Sequence, residues 1–131
     1  GLLVVRAHSF SFGVPPGLFD TDELAHGLHG GAVETSLLLH LRPDLVRLAA
    51  LADFPSLGAS LAARGGLLGA EEPVGIGWMM QDLNPQGACG NAAAASAEKG
   101  RAVLDHLASR LVQLLAEVEA LAVPAQPGPL R

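Results

Sequence analysis

Val103, Leu107, Leu111, Leu114, Leu115, Val118 and Leu121 recur at spacings of three and four. Apolar residues at that period share one face of an α-helix, because successive turns bring them into register. The pattern predicts a helix over Ala97–Ala122. Ser96 stands at the N-cap position and Glu98 in the first turn, where a hydroxyl and a carboxylate satisfy free backbone N–H groups. Pro124 ends the helix, and the segment 124–131, with three prolines, is expected to be a loose tail. A helix with one apolar face is stable only against another layer.

Upstream, Leu2–Ala7 is an unbroken apolar run that reads as a strand covered on both faces, as in a parallel sheet. His8–Asp22, with Pro15-Pro16, reads as a long loop. A helix is expected from Glu34 through Leu37-Leu38-Leu39 to Pro43, and a second from an Asp44 cap towards Leu51. Leu57–Ala70, rich in Gly and Ala, carries no clear signal. Val74–Met80 reads as another strand, weakened by Gly75 and Gly77, and Asp82–Asn91 as a loop. Strand, loop, helix, strand, loop, helix implies an α/β fold with a mainly parallel sheet. Two strands make a poor sheet, so either further strands lie unmarked within the chain or the sheet's remaining strands are expected upstream of Gly1.

Composition narrows the class. Hydrophobic residues make up 50% of the chain and charged residues 16%, enough apolar side chains for a core. The net charge of −5, with eight scattered Lys and Arg, argues against a nucleic-acid partner. No apolar run is long enough for a membrane span. The lone Cys89 allows no disulfide within the chain, which fits a reducing, cytoplasmic setting, and reads as a small buried residue rather than a nucleophile.

Asp22–Glu34 is the densest stretch of chemistry-bearing residues, with His26, His29, three carboxylates and three glycines. Histidine can ligate a metal or move a proton near neutral pH, and a carboxylate can orient it. By spacing and composition alone the stretch reads as a solvated polar loop in preference to a site, and it is not an H-E-x-x-H site. His8, His26, His40 and His106 read as surface or packing histidines. Trp78 reads as core unless it lines a pocket.

The run His29-Gly30-Gly31-Ala32-Val33-Glu34-Thr35-Ser36 resembles the H-[AG]-G-x-x-E-T-S signature of the creatininase family. Leu41-Arg42-Pro43-Asp44-Leu45-Val46, Trp78–Gly87 and Ser96-Ala97-Glu98-Lys99-Gly100 resemble later family segments, in order. The resemblance implies a three-layer α/β/α amidohydrolase that uses a divalent ion (Zn, Mn or Fe) to open a small, often cyclic, amide, and that is commonly a homo-oligomer. It implies catalytic roles for His29 and Glu34, with Glu34 either facing the site or capping the helix. It implies substrate-side roles for Gly30, Gly31 and Trp78. The family's E-x-H-G and N-G-H metal segments do not occur here, so no residue of this chain is assigned as a metal ligand. Residues 1–123 therefore read as the C-terminal part of such a domain. The alternative is an inactive remnant or interaction module. Creatinine-specific members carry a tryptophan shortly ahead of the signature histidine. Asp22–Leu28 holds no aromatic, which argues against creatinine itself.

Overall fold

The computed structural model describes residues 3–71 and 74–121; the expected tail 124–131 lies outside the described residues. In chain order the elements are α1 (Thr21–His26), α2 (Ala32–Leu41), β1 (Asp53–Phe54), α3 (Leu57–Ala62), β2 (Leu68–Gly69), β3 (Val74–Gly75), α4 (Met80–Leu83), β4 (Gly90–Asn91) and α5 (Ala97–Ala120). Single 3-10 turns occur at Ser9–Phe12, Pro43–Leu45, Leu48–Ala50 and Ala92–Ala94.

Helix α5 forms where its periodicity requires, and at a rise of about 1.5 Å per residue it is about 36 Å long. Ser96 is its N-cap, accepting the Lys99 N–H on Oγ at 3.2 Å. The carboxyl of Glu98 is held below the usual carboxylate range, first by its own first-turn backbone N–H and then by Ser96. A carboxyl depressed in the folded state favours folding above its unfolded pKa of about 4.3 and loses that contribution as pH falls through the lower folded value.

The main packing is α2 across the first turns of α5. Gly100 lies against the Ser36 carbonyl and the His40 Cβ, a backbone approach that a methyl group would block. Ser36, fully buried, accepts the Ser96 N–H on Oγ at 3.1 Å, so one hydroxyl joins the two helices at the cap of α5. Below this contact Val103, 1% exposed, meets Phe19 and Ala32, with Val33, Leu37 and Leu107 around them. Burying a valine side chain contributes about 1.5–3 kcal/mol. Lys99 reaches back to the Ala94 carbonyl at 2.8 Å and lies over the Phe19 ring. His106 bonds the Phe12 carbonyl at 3.0 Å, a packing role. The C-terminal half of α5 is largely exposed, including Leu111, Val112 and Leu115.

A second core, Ala70, Leu83 and Cys89, gathers Leu28, Leu57, Trp78 and Met80. Cys89 is free and fully buried, a small apolar residue in its setting. Two short sheets flank it. β1 pairs antiparallel with β4, and β2 pairs parallel with β3. The α/β class stands, with each described strand two residues long.

Several local expectations are corrected. Residues 3–7 form no strand, and Val4 is 73% exposed. Unbroken apolarity cannot specify a strand without a neighbour to pair with, and none lies beside this run among the described residues. The strand expected over Val74–Met80 is confined to Val74–Gly75, and Met80 opens α4, whose first turn is closed by Asp82 accepting the Met79 N–H at 2.8 Å. The helix expected from Asp44 is two 3-10 turns instead, because Asp44 does not cap. Arg42 grips it through Nε and Nη2 at 2.8 and 2.6 Å and holds its carboxyl below the usual range. The unassigned Leu57–Ala70 contains α3, capped by Ser56 accepting the Gly58 N–H, and β2.

Two outcomes follow for α5. Gly100→Ala, which on propensity alone would stabilise a helix interior, should destabilise by about 1–3 kcal/mol through overpacking against Ser36. Urea unfolding followed by circular dichroism measures it. Ser96→Ala should cost about 0.5–2 kcal/mol by the same measurement, and the penalty should shrink at pH below the carboxylate range, where Glu98 is protonated.

Candidate active site

Helix α2 begins without a capping side chain. Its N-cap is Gly31, so its first N–H groups need an acceptor from elsewhere. Glu23 of α1 supplies it. Oε1 accepts the Ala32 N–H at 2.5 Å and the Val33 N–H at 3.4 Å, and Oε2 accepts the Asn91 N–H of β4 at 2.7 Å. Glu23 is 8% exposed, and its carboxylate is enclosed by Gly27, Gly31 and Gly90, where a Cβ would collide with it. Gly90 also holds φ at +120°, open only to glycine in practice.

The loop wrapped around this carboxylate carries His29. Its carbonyl accepts the Cys89 N–H at 2.7 Å, an isolated antiparallel bridge that fixes the backbone. Gly30 follows with φ +67°, the left-handed turn that leads into α2. The next signature residues each tie the turn down. Glu34 accepts the Gly30 N–H on Oε2 at 2.7 Å, Thr35 donates its hydroxyl to the Gly30 carbonyl at 3.3 Å, and Ser36 reaches α5 as described.

Glu34 therefore has two jobs at once. While Oε2 holds Gly30, Oε1 stands 3.5 Å from His29 Nδ1, an ion-pair separation longer than a hydrogen bond. The two side chains are 60% and 54% exposed. The carboxylate takes the Nδ1 side of the ring, and Nε2 has no hydrogen-bond partner among the described residues. A histidine so arranged can exchange a proton through Nε2 with a bound molecule.

Of the residues singled out from the sequence, His29, Gly30, Gly31 and Glu34 are brought together on one turn. Trp78 is not part of that turn. Its indole N–H donates to the Ala70 carbonyl at 3.0 Å and its ring packs in the second core. His26 lines two surface hollows, one of about 320 Å³ shared with Asp20, Asp22, Glu23, Asp53 and Asn91, and one of about 420 Å³ shared with Leu28, Gly58, Leu68 and Ala70. Among the described residues no group of three or more His, Cys, Asp or Glu side chains converges to hold a metal ion. No helix of the described residues is long and apolar enough to cross a membrane.

Glu23 is the site residue that sequence reasoning passed over. A signal existed: a helix opening on Gly-Gly, with no Ser, Thr, Asp or Asn to cap it, shortly after a carboxylate-rich turn. The second partner, Asn91, lies 68 residues away and had no local mark.

The comparisons with known proteins give the family and the fold. The sequence profile of the creatininase family, described as creatinine amidohydrolase, matches residues 2–115. No curated protein matches the chain. Among solved structures, a candidate creatinine amidohydrolase from Bacteroides fragilis superposes with a TM-score of 0.69 at 26% identity, covering 95% of this chain and 46% of that one. A tryptophan-to-phenylalanine variant of creatininase gives 0.56 at 26% identity over 83% of this chain and 40% of its own. A second such variant, of type II, gives 0.52 at 24% identity, a likeness of fold alone. The chain spans less than half the length of these structures. The profile match over most of the sequence, together with the signature turn, shows that the chain belongs to the creatininase family.

Proposed function

We propose that this chain carries the proton-transfer side of an amidohydrolase site that acts on a small open or cyclic amide, with His29 as the group that protonates the departing nitrogen. The observation that carries the reading is the His29–Glu34 pair, held on a glycine turn with Nε2 unpartnered among the described residues. A carboxylate at Nδ1 favours the proton on that nitrogen in the neutral ring, and it supports the imidazolium when Nε2 is also protonated. Protonating the leaving nitrogen as the C–N bond breaks avoids expelling an amide anion, the step for which a general acid is most useful. Gly30 and Gly31 let the backbone come close to a substrate, and Trp78, its N–H already used, would contribute only its ring face.

The family resemblance implies a divalent ion (Zn, Mn or Fe) that activates water. The described residues do not form a cage for one. The roles we assign to this chain are therefore proton transfer and substrate placement, and the ligands would come from protein outside it. Residues 1–123 are read as the C-terminal part of the catalytic domain, with cytoplasmic location and homo-oligomeric assembly as parts of the same proposal. The exposure of Leu45, Leu48, Leu111 and Leu115 supports an alternative, that the chain serves as an interaction module without turnover.

Joined to the remaining portion of a creatininase-family domain, the chain should hydrolyse small amides. There His29→Ala should lower kcat by about 10²–10⁴-fold with metal content unchanged. Steady-state kinetics alongside metal analysis checks this. Near-normal turnover in the variant would make His29 a bystander, and absence of turnover in the parent assembly would favour the interaction module.

A further inference from the structure

The carboxylate of Glu23 makes no hydrogen bond to the His29 ring, yet it holds backbone N–H groups on both sides of the turn that carries the ring. On one side it takes the N–H groups of Ala32 and Val33, which fix where α2 begins and so where Glu34 stands. On the other it takes the N–H of Asn91, which fixes the strand that starts just after Cys89. Cys89 in turn holds the His29 carbonyl. The imidazole and its carboxylate partner thus share one turn, and that turn is tied to the Cys89–Asn91 segment at two places, by the Cys89–His29 backbone bridge and by the Glu23 side chain. Gly27, Gly31 and Gly90 leave that side chain room in which another residue type would collide with it. A helix cap alone would need only the Ala32 side of this arrangement. The bond to Asn91 adds nothing to the capping of α2, and its effect is to fix the approach of β4 to the signature turn.

We propose that Glu23 is a positioning residue for the His29–Glu34 pair, a bridge that sets the ring's placement through the backbone at both ends of the signature turn. The proposal rests on the reading of His29 as the proton-transfer group, and its test does not depend on turnover. Glutamine at this position has one acceptor oxygen and a donor NH2, so it cannot receive N–H groups on both sides.

The experiment uses the whole chain labelled with nitrogen-15. It records amide exchange and the His29 ring-nitrogen signals, which report the Nδ1–H and Nε2–H tautomers, in the wild type, Glu23→Gln and Glu34→Gln. In the wild type the Ala32 and Asn91 amides should be protected well beyond the free-peptide rate. Glu23→Gln should lower protection at one or both by about tenfold or more, the scale of a hydrogen bond to a charged acceptor. It should also shift the His29 tautomer balance by about twofold or more, in the same direction as Glu34→Gln. A tautomer balance unchanged in Glu23→Gln, with protection lost and far-ultraviolet dichroism intact, overturns the proposal and leaves Glu23 as a cap. Free-peptide exchange at Ala32 and Asn91 in the wild type overturns it outright. If Glu23→Gln does not fold, Glu23→Asp, with the carboxylate withdrawn by one methylene, takes its place under the same criteria. The amidohydrolase reading fails only on turnover, which these spectra do not measure, so the two failures are distinguishable.

Discussion

The buried carboxylate of Glu23 is the interaction on which the rest of the described structure depends. It joins α1 to the start of α2 and to β4 through three backbone N–H groups, at a helix start whose N-cap residue, Gly31, has no side chain to cap it. Buried backbone donors left unpaired cost about 1–3 kcal/mol each, so the three together outweigh the loss of side-chain freedom in holding one glutamate. The three surrounding glycines follow from the same requirement. They would each weaken an ordinary helix or strand, and here they make room for the carboxylate.

From that anchor the signature residues acquire separate physical roles. Glu34 holds the Gly30 N–H and faces the His29 ring. Thr35 holds the Gly30 carbonyl. Ser36, with no exposed surface, ties α2 to the cap of α5. The sequence left open whether Glu34 faces His29 or serves the helix start, and in the structure Oε2 accepts the Gly30 N–H while Oε1 stands 3.5 Å from His29 Nδ1. The signature turn and the packing of the long helix are therefore adjacent parts of one hydrogen-bonded path, running from Glu23 through α2 to Ser96.

What was legible in the residues alone was what is local. Helix α5, its Ser96 cap and the stop of α2 before Pro43 are decided within a turn or two of chain, and they fall where expected. The signature turn was legible as a motif, though not its mounting. The strands were not. Leu2–Ala7 and Val74–Met80 have strand-like composition, but a strand exists only against a partner, and composition does not say whether one is near. Asp44 was misread for the opposite reason, since a strong local partner, Arg42, two residues back, outcompeted the helix start. Glu23 escaped because one of its partners is distant in sequence, and a carboxylate in a polar stretch looks the same whether it is solvated or buried.

The exposure of the His29–Glu34 pair bears on how far this chain can act alone. With both side chains more than half exposed and Nδ1 3.5 Å from Oε1, the attraction is set by a dielectric close to that of water and is worth little. A carboxylate orients and supports an imidazolium strongly only where water is excluded, and the same exclusion makes protonation of a leaving nitrogen productive. The backbone of the turn is already fixed, by Glu23 and by the Cys89 bridge, so covering the pair would require no rearrangement of the turn itself. On the proposed reading, the chain thus contributes a pre-set proton-transfer group, and the low-dielectric surroundings in which that group becomes effective come from whatever closes over the turn.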